Sequence, residues 1–325
     1  MNSIVNTSRR GFIRQSAGFA LAATTMNFTG MLMASEEREP WAIACRDPHL
    51  RVTGQPDCWA AMKQLGLSGV EAEANMELAC PGLYHPTKKY SLDSPAHIQA
   101  LKDDLAQNKL KITAFLMYNQ LDQRLEQEIE WAKRLVQAAQ ELEVRAIRID
   151  VAPQRLRRDE FLPFAILACK KLCEVAEGTA VRYGIENHSN MTNDPEFLGK
   201  LFDGVGSPHL GLTLDTGNFY WYGHPLDRVY EIFEQFAPRV VHTHCKSIHF
   251  PEDKRNVRRP MGWEYGKYNC PIYDGDIDFH KVAAILRKAN YAGDLCIEDE
   301  SLSKFPEVQR AAVLKKEADF LRELA

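Results

Sequence analysis

The sequence predicts a single-domain α/β fold, a closed (β/α)8 barrel. Two observations carry that reading. From Pro40 onward, short β-branched or apolar runs alternate with longer segments of helical periodicity, and the alternation repeats eight times. The alternate positions at the ends of those runs are rich in ionisable side chains. Eight units over about 285 residues fit a parallel barrel of ordinary size, with crossover helices outside. An open doubly wound sheet is the alternative. It calls for a glycine-rich phosphate loop after the first strand, where this chain reads ACRDPHLRVTG.

The expected strands are 41–45, 69–73, 111–117, 146–151, 183–187, 210–215, 240–245 and 294–298, and the clearest helical segments are 126–141, 160–178 and 305–323. Side chains two apart share a face of a strand. GVEAE therefore turns Glu71 and Glu73 one way, and AIRID separates Ile147 and Ile149 from Arg148 and Asp150. RYGIENHSN aligns Glu186 with His188, LTLD ends in Asp215, VVHTHCK aligns His242, His244 and Lys246, and DLCIEDE aligns Cys296, Glu298 and Glu300. In a barrel the apolar set faces the helices, and the inward set at the carboxyl ends carries chemistry.

Composition removes some function classes. Of the 325 residues, 45% are hydrophobic and 26% charged, and the net charge of −4 gives no reason to expect a nucleic-acid partner. Eight cysteines occur without a C-x-x-C pair, so buried structural thiols are expected. The first 34 residues stand apart. Ser8-Arg9-Arg10-Gly11-Phe12-Ile13-Arg14 precedes a weakly apolar stretch at 17–34, and this resembles a twin-arginine export signal. The expectation is a signal peptide at 1–34, a mature barrel at 35–325 and a periplasmic or otherwise exported location. An amphipathic N-terminal helix is the alternative. Stable membrane insertion is not expected, because Thr24, Thr25, Asn27 and Thr29 interrupt the apolar run.

Several carboxylates crowded into one partly dehydrated space repel one another, and a divalent cation relieves the repulsion. Glu186, Asp215, His244 and Glu298, from four successive strand ends, offer three oxygens and one nitrogen. The oxygen-rich set favours the harder ions, Mn2+ first, with Mg2+, Co2+ or Zn2+ as alternatives. His242 competes with His244 for the ligand role, one pleat repeat deeper.

The blocks Ile185-Glu186-Asn187-His188, Leu214-Asp215-Thr216-Gly217-Asn218, His242-Thr243-His244-Cys245-Lys246, Gly275-Asp276-Ile277-Asp278 and Gly293-Asp294-Leu295-Cys296-Ile297-Glu298 resemble the signature blocks of the xylose isomerase-like barrel superfamily. That superfamily includes ketose epimerases and isomerases, inosose and dehydroshikimate dehydratases, and endonuclease IV. The resemblance implies the same four ligands and assigns acid/base roles to Glu186 and Glu298. Two departures stand out. Ser247 takes the place of an acid common in relatives, and Asn218 replaces a histidine that helps the endonuclease bind an additional metal.

The chemistry implied is proton transfer beside a carbonyl. A metal chelating a ketone oxygen and its neighbouring hydroxyl stabilises an enediolate, while the two glutamates exchange protons. His188, Lys246, Glu71 and Asp150 are expected to bind substrate. The segment from Ser247 to Asp276 exceeds ordinary strand-to-helix loops, and it brings Trp263 and Arg255 as further substrate-binding candidates. The expected partner is a small-molecule carbohydrate, and a homo-oligomer stays open because the same rings suit a contact between copies. A metal-dependent sugar isomerase or epimerase is the first reading. A lyase or dehydratase acting on a 3-keto-glycoside and a non-catalytic carbohydrate-binding barrel are the alternatives.

Overall fold

Eight parallel strands, β1 (Ala42–Arg46), β2 (Gly69–Glu73), β3 (Lys111–Met117), β4 (Ala146–Ile149), β5 (Arg182–Glu186), β6 (Leu210–Asp215), β7 (Val240–His244) and β8 (Asp294–Ile297), form one sheet in the computed structural model, which describes residues 40–325. From β1 to β7 each strand pairs with the next in sequence, and β8 returns to β1 with Ala42 opposite Asp294. The ring closes between β7 and β8 just past the last residue of β7. The Cys245 N–H donates to the Cys296 carbonyl at 2.6 Å, and the Glu298 N–H donates to the Cys245 carbonyl at 3.1 Å. The signal-peptide expectation at 1–34 lies outside the described residues.

The strands fall where the sequence places them, within one or two residues. Their outward side chains, Val70, Phe115, Ile147, Ile149, Ile185, Leu212 and Leu214 among them, belong to one buried apolar cluster with the helices. The outer helices are α1 (Cys58–Leu65), α2 (Pro95–Asn108), α3 (Leu121–Glu141), α4 (Arg158–Ala176), α5 (Pro195–Val205), α6 (Leu226–Phe236), α7 (Phe279–Lys288) and α8 (Glu307–Leu324). Local chemistry starts and stops them. Ser94 and Asp194 cap α2 and α5 just before a proline at the first helical position, and the Asp278 side chain takes the N–H groups of His280 and Lys281 to open α7. Removing such a cap costs about 1 kcal/mol. No helix among the described residues is long and apolar enough to cross a membrane.

Two hairpins depart from strict alternation. Ala79–Tyr84 pairs with Lys89–Ser91 after β2, and Ser247–Ile248 pairs with Asn269–Cys270 after β7. The second hairpin corrects the view of the long segment after β7 as an open loop. Its ends pair antiparallel, and short helices at Glu252–Arg255 and Tyr265–Tyr268 fill the interval. Alternating patterns of only two or three residues are too brief to announce a strand from sequence.

Candidate metal centre

Glu186, Asp215 and His244 are the last residues of β5, β6 and β7, and Glu298 follows β8 directly. All four are buried, and one donor atom from each lies within 4.8 Å of the other three. The backbone fixes Asp215: its Oδ1 accepts the N–H groups of Gly217 and Asn218, both at 2.8 Å, so Oδ2 is left for the cluster. Gly217 also makes room for a neighbour, because a Cβ there would sit 2.6 Å from Lys246 Cγ.

His244 is oriented from below. Its Nε2 lies 3.0 Å from Glu71 Oε2, and a carboxylate can only accept, so Nε2 carries a proton and Nδ1 faces the cluster. Nδ1 is 3.2 Å from Glu298 Oε2 and 3.4 Å from Glu186 Oε1. Burial disfavours the charged ring, but Glu71, Glu298 and Glu186 outweigh it and raise its pKa well above the usual histidine range. A second proton on Nδ1 and a metal ion are therefore rival occupants of one place.

Asp215 Oδ2, His244 Nδ1 and Glu298 Oε2 are buried and make no hydrogen bond. Three buried ligand atoms gathered with Glu186 Oε1 into one place suit a divalent ion, and the three-oxygen, one-nitrogen set fits one. Lys246 Nζ stands against the same atoms, 2.9 Å from Asp215 Oδ2 and 3.0 Å from Glu298 Oε2.

Each glutamate is held from behind by its own arginine. Arg148 Nε donates to Glu186 Oε2 at 2.5 Å, and Arg46 Nη1 donates to Glu298 Oε1 at 2.5 Å. Burial works against ionising Glu186, and Arg148 and His244 outweigh it. For Glu298, Lys246 and His244 do the same, and both carboxyls titrate well below the ordinary range. Asp215 has no such arginine, and burial pushes it up to about 8, although Lys246 opposes the rise.

The sequence profile described as the xylose isomerase-like TIM barrel matches residues 59–324. The chain belongs to that family. Among curated relatives, an inosose dehydratase from Clostridium perfringens is 28% identical over 136 residues, covering 40% of this chain and 44% of the relative. The chain thus spans less than half the length of the curated relatives that it matches. Two solved structures share the fold. The IolI protein with a bound zinc atom is 15% identical with a TM-score of 0.63, over 87% of this chain and 98% of that one. The 3-keto-D-glucoside 4-epimerase YcjR from E. coli is 14% identical with a TM-score of 0.61, over 87% and 99%.

On this family barrel the other expected residues divide. Asp150 Oδ2 takes Arg148 Nη1 at 2.6 Å and its Oδ1 lies 3.3 Å from His188 Nδ1, so both belong to the rim beside Glu186. There a cavity of about 340 Å3 is lined by Tyr118, Asn119, Asp150, Glu186, His188 and Thr192. Glu71 sits beneath the centre as the partner of His244, a supporting place instead of a substrate-facing one. Two loop residues are not brought to the donors. Arg255 Nε pairs with Asp276 Oδ1 at 3.1 Å, and Trp263 stacks on Tyr268 with ring centroids 5.6 Å apart. Both fasten the loop to itself. Its contribution near the site is Tyr265, whose hydroxyl donates to Glu300 Oε2 at 2.5 Å, while Lys246 Nζ donates to Glu300 Oε1 at 3.1 Å.

Sequence reasoning passed over Arg46, Arg148 and Tyr265 as site residues. Arg148 carried a signal, since it shares the inward face with Asp150. Arg46 ends β1 next to an apolar run, which signals only a strand end.

Proposed function

We propose that this chain is a divalent-metal-dependent isomerase or epimerase of a keto-sugar, exported through the twin-arginine route, with Mn2+ as its ion. One observation carries the reading. Glu186 and Glu298 come from strands separated by two others, each is held through one oxygen by an arginine, and each presents the other oxygen to His244 Nδ1. Two carboxylates reaching one point from different sides suit proton removal on one face of a carbon and proton return on another.

Glu186, Asp215, His244 and Glu298 would hold a divalent ion, which would supply Lewis-acid polarisation of a carbonyl oxygen. The residues of the chain do the rest. Glu186 and Glu298 are the groups that take and return the substrate proton, and the arginine behind each keeps its carboxylate from rotating away. Lys246, already between Asp215, Glu298 and Glu300, binds a substrate hydroxyl or the charged oxygen. Asp150 and His188 offer an acceptor and a donor at the rim for further hydroxyls.

A lyase is the second reading, favoured by the similarity to an inosose dehydratase. The same proton loss expels a leaving group when the next carbon carries one.

The test is incubation of metal-loaded protein in D2O with ketohexoses and 3-keto-glucosides, reading deuterium at the carbon beside the carbonyl together with isomerised and eliminated products. Exchange with a new isomer supports the first reading, and exchange with elimination supports the second. Glu186→Gln and Glu298→Gln, with metal retained, are each expected to slow turnover by roughly 10²–10⁴. Tight sugar binding without any exchange makes the barrel a binder, and wild-type turnover in both variants removes these acids from the mechanism.

A further inference from the structure

Beneath the mouth, one pleat repeat down β7 and β8, His242 and Cys296 face the same interior as Glu71 from β2. Barrel interiors at this depth are ordinarily filled by branched apolar side chains. Here a carboxylate, an imidazole and a thiol meet, with one donor atom from each within 4.8 Å of the others and exposures of 1%, 0% and 0%.

The imidazole is set for ligation. His242 Nδ1 lies 2.8 Å from Asp294 Oδ1, and the Tyr291 hydroxyl donates to that same oxygen at 3.1 Å. An Nδ1–H committed to a carboxylate leaves the lone pair on Nε2, the arrangement that orients metal-binding histidines. Nε2 is fully buried, makes no hydrogen bond and stands 3.4 Å from Glu71 Oε1. His244 Nε2 lies 3.0 Å from Glu71 Oε2 and 3.1 Å from Oε1, so Glu71 Oε1 is shared between His244 above and His242 below. A thiol beside an imidazole and a carboxylate selects a borderline-soft ion, and zinc takes three protein donors when a water enclosed with it completes the tetrahedron.

We propose that Glu71, His242 and Cys296 bind a second divalent ion, Zn2+ being the best fit, one layer below the centre formed by Glu186, Asp215, His244 and Glu298. The thiol loses its proton to solvent as the ion binds, and Glu71 links the two centres because the carboxylate that faces the lower ion also accepts from His244. Because the lower site is closed to solvent, it is filled as the chain folds.

Protein produced in cobalt-supplemented medium and purified intact tests this directly. Two cobalt ions per chain are expected, with a sulfur-to-cobalt charge-transfer band in the near ultraviolet. Asp215→Asn is expected to lose one ion and keep the band, and Cys296→Ser to lose the band and the other ion. Should Cys296→Ser fail to fold, X-ray absorption at the zinc edge of zinc-loaded wild-type protein decides, with a sulfur scatterer at about 2.3 Å expected. A single ion without a thiolate band, a zinc shell of nitrogen and oxygen alone, a band that survives Cys296→Ser, or loss of both ions in Asp215→Asn overturns the proposal. The cluster is then a hydrogen-bonded network in which a proton joins His242 to Glu71.

Discussion

His244 Nε2 and Glu71 Oε2 lie 3.0 Å apart in the barrel interior, and that contact determines which nitrogen of the ring faces the mouth. The tautomer follows from it, because Glu71 accepts and therefore keeps the proton on Nε2.

Glu71→Gln preserves size but allows the amide to donate as well as accept, so the ring can place its proton on Nδ1. Loss of such a supporting partner typically costs 10–100-fold in metal affinity. Competition with a fluorescent chelator is the measurement, and the mouth centre of Glu71→Gln should fall within that range. Unchanged affinity would mean that Glu71 does not set the tautomer.

A second prediction concerns pH and Asp47, a buried side chain whose carboxylate accepts the Glu73 N–H at 3.0 Å. Burial raises its pKa from 3.8 to about 7, although the Glu73 bond opposes the rise. The unfolded chain then ionises this group before the folded one does. Its contribution to stability is complete below pH 3.8 and is lost as pH rises to about 7. At about 1.36 kcal/mol per pKa unit, the full loss is on the order of 4 kcal/mol. Asp47→Asn removes the titration, so urea denaturation should show the variant gaining stability relative to wild type as pH climbs through that window. A constant difference between the two across the window refutes the assignment.

The four donors were legible because each ends a strand or directly follows one, and the two-residue period of a strand marks the inward position without knowledge of packing. The arginines were less so. Arg148 and Arg46 take their roles from neighbouring strands, with contacts to Glu186 at 38 positions' separation and to Glu298 at 252. No local pattern encodes such a distance. The loop was less legible for a related reason: Trp263 is an aromatic in a long connection, and its stacking on Tyr268 follows only from the way the segment folds back through the hairpin at Ser247–Ile248 and Asn269–Cys270.

The export prediction rests on Arg9 and Arg10. Replacing both by lysine should hold the precursor in the cytoplasm at full length, read by fractionation and by the mass of the retained chain. Normal export of the double variant refutes the twin-arginine reading.

The last prediction turns on Lys246, whose ammonium stands 2.9 Å from Asp215 Oδ2 and 3.0 Å from Glu298 Oε2, two of the atoms that a metal needs. Without metal, this buried cation offsets carboxylates that would otherwise repel one another. Lys246→Met keeps much of the stem and removes the charge. Deleting one partner of a buried pair costs about 3–5 kcal/mol, because the remaining charge is left uncompensated. The metal-free variant should therefore unfold at markedly lower denaturant than metal-free wild type. A divalent ion supplies the missing positive charge and no longer has to displace an ammonium, so metal binding should tighten while the metal-loaded proteins differ much less in stability. Denaturant melts with and without metal, paired with chelator competition, read both effects. A role confined to substrate contact predicts no change in metal affinity, and a lysine that supports the ion predicts weaker binding. Only a competitor predicts tighter binding together with a weaker metal-free fold.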